Sequence, residues 1–254
     1  MKIYFDGCSW THGCELQEPE NTRWSKLVSD HYGAEEYNIS ENGSCNRRIV
    51  RNLLEHNLDD YDIIIIQMSM NIRQEYFDGD NWQRVSFSSS KIKNPSHQEF
   101  FMHYYSEIYH SKYGHTDDKI YYTLIRKLLE KKKHLVVSID RGKSQSKLPL
   151  DMDLSLMLDD SVKRRDALKS LGKTPPYSRN NKDYRCKGMH PNEEGSQILS
   201  HYIISALESE EYKNDAICSH HNGWWSNLDH DQWNKDLIKE RAKEEREKWL
   251  TKPK

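Results

Sequence analysis

The chain has no Cys-x-x-Cys pair, no long apolar run and no surplus of one charge. Its five cysteines, Cys8, Cys14, Cys45, Cys186 and Cys218, are scattered. That spacing offers neither a zinc ribbon nor a dithiol redox motif, and reduced thiols are the default in a cytosolic chain. The longest apolar run, residues 63–66, is strand-sized and far short of a membrane span. At the start, Asp6 and Gly7 follow only three apolar residues, so the apolar core of a secretory signal is missing. Lys and Arg number 38 against 40 Asp and Glu, a formal net charge of −2. Such a balance gives no electrostatic footprint for nucleic acid or an anionic membrane. A cytoplasmic protein that binds neither is the expectation.

Hydrophobic residues are few as well, 35% of the chain, and mean hydropathy is −1.00. Strong strand and helix patterns persist all the same, which implies long polar insertions around a modest core. At 254 residues the chain fits one α/β domain with an appendage. Residues 1–210 form that domain, with insertions around 72–115 and 141–188. Residues 211–254 form a Trp-rich, charged helical appendage, a surface suited to self-association.

What is present begins at the N-terminus. Residues 2–5 favour a strand, which Asp6-Gly7 turns out of. A helix with Trp24, Leu27 and Val28 on one face follows, then a strand at residues 37–39 and a loop at 40–44. Ser44 is placed to cap a helix carrying Ile49, Val50, Leu53 and Leu54, with Arg47, Arg48 and Arg51 as a solvated flank. Residues 61–68 hold four consecutive isoleucines, the mark of a strand buried on both faces of a parallel sheet. Residues 72–97 are polar and turn-rich, and 98–113 are helical and aromatic. A helix capped by Thr116 follows, then a strand at 135–140, a helix around 160–171, and a last amphipathic helix from Asn192. This alternation predicts a doubly wound α/β fold, a three-layer sandwich with a mainly parallel central sheet.

Four blocks lie at the ends of these elements. Gly7-Cys8-Ser9-Trp10-Thr11-His12-Gly13 follows the first strand and Asn42-Gly43-Ser44 the second. Ser69-Met70-Asn71 follows the third, and Met189-His190-Pro191-Asn192 precedes the last helix. Taken alone, Ser9 is a helix cap, Gly43 a turn glycine, Asn71 a strand end and His190 a loop histidine. Together and in this order they resemble the SGNH hydrolase family, the GDSL-like esterases and lipases, over roughly residues 2–207. The resemblance implies a flavodoxin-like SGNH fold without a cofactor or catalytic metal, acting on a small-molecule or carbohydrate ester. It implies Ser9 as nucleophile, His190 as general base, and an oxyanion hole of Ser9 N–H, Gly43 N–H and the Asn71 amide. An alcohol needs such a base to attack an ester at neutral pH, and the tetrahedral oxyanion needs preorganised donors.

Three residues depart from the family pattern. Cys8 stands where an acid is usual, and its side chain is expected to point away from Ser9. Ser69 replaces a glycine. Lys187 occupies the place of the triad aspartate, three residues before His190, leaving Asp183 or a backbone carbonyl to orient the imidazole. Loss of a triad acid that fixes the tautomer costs about 10⁴ in rate in serine proteases. The competing reading is a catalytically silent relative that binds a glycan or a protein partner. Cys8 as nucleophile lacks a base of its own, and the His220, His221, Asp229 and His230 group lacks a metal-ligand spacing.

Overall fold

The computed structural model describes residues 1–85, 92, 94–139, 148, 150–159, 161–173, 184–187 and 189–209. The strands are β1 (Lys2–Asp6), β2 (Glu35–Asn38), β3 (Ile63–Met68), β4 (Gln74–Phe77), β5 (Trp82–Val85), β6 (His134–Ser138) and β7 (Met152–Asp153). The helices are α1 (Ser9–His12), α2 (Pro19–Thr22), α3 (Trp24–His31), α4 (Asn46–Glu55), α5 (Pro95–His103), α6 (Ser111–Leu129), α7 (Leu154–Asp159), α8 (Ser161–Ser170) and α9 (Glu193–Glu208). A central sheet has the order β2-β1-β3-β6-β7, with every neighbouring pair parallel.

The isoleucine run explains the layers. Ile63 and Ile65 join Ile3 and Phe5 on one face, packed on Trp24 and Val28 of α3 and on Ile198, Leu199 and Ile203 of α9. Ile64 and Ile66 join Tyr4 on the other face, against Ile49 and Leu53 of α4 and Ile125 and Leu129 of α6. Side chains alternate along a strand, so a strand buried on both sides must be apolar throughout. Each such side chain contributes about 1.5–3 kcal/mol on burial. The result is the predicted three-layer sandwich. Because β1, β2 and β3 run in parallel, Asp6, Asn38 and Met68 all end at one edge of the sheet. In this doubly wound order the crevice for a ligand lies outside those ends, beside β1 and β3.

Several boundaries differ from the expectation. Cys45, not Ser44, occupies the cap position of α4. Thr116 lies inside α6, where its hydroxyl donates back to Lys112 O at 2.9 Å, and the helix starts at Ser111. The polar stretch after residue 72 contains the antiparallel hairpin β4–β5. The arginines of α4 are not a solvated flank. Arg48 is buried against Asp6, and Arg51 pairs with buried Glu75, while Arg47 alone stays exposed. The aromatic stretch at 98–113 divides: Tyr105 and Tyr109 are buried with Ile72, whereas Phe100 is exposed. Among the described residues no helix is long and apolar enough to cross a membrane. The appendage at 211–254, its four-residue His and Asp group, and Asp183 lie outside the described residues.

Candidate active site

The turn after β1 is clamped to β3. Gln67 of β3 accepts from Thr11 Oγ1 at 2.9 Å and from the Cys8 N–H at 3.3 Å. A Cβ on Gly7 would stand 2.6 Å from Thr11 Oγ1 and 2.9 Å from Gln67 Cβ, so only glycine lets the turn sit this close. Ser9 is the first residue of α1, a position whose N–H has no partner within the helix. The residue is 2% exposed, and its hydroxyl donates to Cys8 Sγ at 3.8 Å. Cys8 therefore faces Ser9, contrary to the expectation, because the chain leaves its extended path at Ser9 and strand alternation ends there. Burial raises the Cys8 thiol, but the charge of Arg73 and hydrogen bonds from Trp10, Gln67 and Ser9 outweigh it and bring the thiol below its ordinary value.

The loop after β2 is laid against this turn. Glu41 N–H donates to Gly7 O at 3.4 Å, and His12 Nδ1–H donates to Ser40 O at 3.1 Å. Gly43 has φ 78°, in the left-handed region that disfavours a side chain. A Cβ there would meet nothing within 4 Å, so backbone conformation, not crowding, calls for glycine. Asn46 then joins this loop to the one after β3. It accepts from Ser69 N–H at 2.6 Å and donates to Ser69 O at 3.0 Å. Ser69, where the family has glycine, contributes its own bond, its hydroxyl donating to Ser44 O. Two residues on, Asn71 Oδ1 accepts from the Tyr109 hydroxyl at 3.4 Å. The amide lies against α6, where a Cβ on Gly114 would stand 3.0 Å from Asn71 Nδ2.

His190 sits just before α9, whose cap Asn192 accepts from Gly195 N–H at 2.9 Å. Its loop is tied down by Cys186 N–H donating to His190 O at 2.7 Å and by Arg185 donating to Met189 O at 3.1 Å. The same Arg185 guanidinium lies 4.8 Å over the ring of Trp10, the residue after Ser9. The imidazole Nδ1 faces Glu15 Oε2 at 2.6 Å. Lys187, at the family's acid position, is exposed.

The loops that carry the four blocks are thus tied together by neighbouring residues, through Glu41 to Gly7, Asn46 to Ser69, and Arg185 to Trp10. Ser9 and His190 share no hydrogen bond, since the serine hydroxyl is turned to Cys8. Glu15 is the residue that sequence reasoning missed. It lies in a polar loop with no periodicity, and the one available signal was the need for an acid that Lys187 does not meet. A cavity of about 820 Å³ opens beside it, lined by Gln17, Lys173, Cys186 and Glu194 among others, but by neither Ser9 nor His190.

No family model and no curated protein matches the chain. Among solved structures it is similar to a member of the lipolytic protein G-D-S-L family from Veillonella parvula. That match has 13% identity and a TM-score of 0.41, over 81% of this chain and 97% of the other. A GDSL-like lipase from Bacteroides thetaiotaomicron matches at 14% identity and a TM-score of 0.40, over 82% and 87%. A catalytic mutant of an acetylxylan esterase from Geobacillus stearothermophilus matches at 13% identity and a TM-score of 0.42, over 82% and 94%.

Proposed function

We propose that the chain is a serine hydrolase cleaving a small ester, with an O-acetyl group on a carbohydrate as its substrate. The observation that carries the reading is the tying together of the loops that carry the Ser9, Gly43, Asn71 and His190 blocks at the C-terminal ends of β1, β2 and β3. Ser9 Oγ attacks the acyl carbon while its proton passes to His190 Nε2, and a C–O bond forms as the carbonyl π bond gives an oxyanion. Ser9 N–H, Gly43 N–H and Asn71 Nδ2 donate to that oxyanion, each worth about 3 kcal/mol of barrier in well-studied hydrolases. Collapse expels the alcohol, which takes the proton from His190. Water then repeats the sequence on the acyl-enzyme and releases the acid. To start the cycle the Ser9 hydroxyl must turn from Cys8 Sγ toward His190. The carbohydrate preference draws on the exposed rings of Phe77 and Trp82, carried by the hairpin that follows Asn71.

The engagement of Ser9 with Cys8 also favours a second reading, a silent relative that binds a glycan or a partner without cleaving it. Turnover of p-nitrophenyl acetate separates the two. The parent should hydrolyse it and a folded Ser9→Ala variant should not. Equal turnover by both would remove Ser9 from the mechanism, and an inert parent on a broad ester panel would favour the silent relative.

A further inference from the structure

We propose that Glu15 is the acid of this site, a positioning residue that orients His190 in place of the aspartate replaced by Lys187. The inference rests on the reading of Ser9 and His190 as nucleophile and base. Its geometry is specific. Glu15 Oε2 meets Nδ1 of the imidazole at 2.6 Å, a distance typical of charge-assisted bonds, and leaves Nε2 for the serine proton. A carboxylate on Nδ1 keeps the ring proton there, which makes Nε2 the basic nitrogen. When Nε2 takes the proton from Ser9, the imidazolium is paired across the same bond.

The backbone supports the assignment independently. Glu15 and Met189 are the non-glycine residues with positive φ among the described residues, both at 71°. One is half of the pair and the other immediately precedes His190. A left-handed conformation costs about 1 kcal/mol or more for a residue with a Cβ. Both loops that form this contact therefore carry strain, each with a residue other than glycine at its left-handed position. Cys186 holds the two loops in register. Its N–H donates to His190 O at 2.7 Å, and its thiol donates to Glu15 O at 3.7 Å. Side-chain exposures of 19% for His190 and 30% for Glu15 place the pair partly out of water, within reach of a substrate. Nucleophile and acid thus come from one short stretch, Ser9 in the first block and Glu15 just past its end, and the base from the far end of the domain.

Glu15→Gln tests this, with Asp183→Asn and Lys187→Asp as comparisons. Glu15→Gln should lower kcat on p-nitrophenyl acetate by about 10²–10⁴ while KM changes less than about twofold. Asp183→Asn and Lys187→Asp should leave kcat within about twofold of the parent. Glu15→Gly, which relieves the left-handed residue, should fold at least as well as the parent and lose turnover to the same extent. In the parent, proton NMR should show a strongly deshielded Nδ1–H resonance that disappears in His190→Gln and in Glu15→Gln. Full kcat in Glu15→Gln or Glu15→Gly, or a large loss in Asp183→Asn, overturns the assignment. Should the parent prove inert on esters, the hydrolase reading fails while the resonance still decides the pairing: its presence in the parent and loss in Glu15→Gln uphold Glu15 as the partner, and its absence from the parent overturns it.

Discussion

At the scale of single residues, the site is braced by a buried charge pair. Asp6, at the end of β1 and fully buried, accepts from Gly7 N–H at 2.7 Å, Asn52 at 2.8 Å and Arg48 at 2.9 Å. Arg48 also donates to Ile39 O at 2.7 Å and Glu41 at 2.9 Å, so one guanidinium ties β1 to the loop that presents Gly43. Burial pushes the Asp6 carboxyl up to about 6 from 3.8, against the pull of Arg48 and the hydrogen bonds. The folded chain therefore holds this proton more tightly than the unfolded chain does. Its contribution to stability is fully present below about pH 4 and is lost as pH rises through about 6. Urea unfolding at steps from pH 4 to 6.5 should show the parent losing stability relative to Asp6→Asn. A difference that grows in the parent's favour with pH would contradict this. The brace was not legible beforehand. Polar Arg47, Arg48 and Arg51 look alike in sequence, and only the buried carboxylates of Asp6 and Glu75, which recruit two of them, set their fates.

At the scale of elements, α6 packs closely against Asn71. A Cβ on Gly114 would lie 2.6 Å from the Tyr109 hydroxyl and 2.8 Å from Asn71 Cγ. Glycine inside a helix costs about 1 kcal/mol relative to alanine, yet here it lets the helix approach the amide. Gly114→Ala should therefore lower kcat about 10²-fold, as for a displaced oxyanion donor, with KM little changed. Unchanged kcat in a folded Gly114→Ala protein would separate Asn71 from the chemistry. In sequence this glycine looked like part of a break between two helices, with Thr116 as the new cap. In the fold Thr116 bonds back to Lys112 and the helix runs through Gly114. The hairpin had a readable signal, Asp78-Gly79 between aromatic residues, and Asp78 accepts from Asp80 and Asn81 N–H groups at 3.0 and 2.8 Å. It was hidden by the polarity of its surroundings.

At the scale of the whole molecule, the layered fold and its mainly parallel sheet were legible because two patterns are nearly context-free. Apolar runs such as Ile63 to Ile66 require burial on both faces, and strand–helix alternation with short connections requires a parallel sheet. Parallel strands then bring strand ends far apart in sequence to one edge, where the blocks grouped by family resemblance, those of Ser9, Gly43 and Asn71, follow β1, β2 and β3. Glu15 could not be, since its contact with His190 is made by two irregular loops 175 residues apart. Loop conformation there depends on strained backbone and on Cys186, neither of which follows from a local pattern.

The central claim is that this edge forms an activated serine. Incubation of the folded protein with a fluorophosphonate, followed by mapping of the labelled peptide, measures it most directly. The account predicts one covalent adduct, on Ser9, formed far more slowly in His190→Gln. A label on Cys8 or any residue other than Ser9, or none on a folded parent, would contradict it.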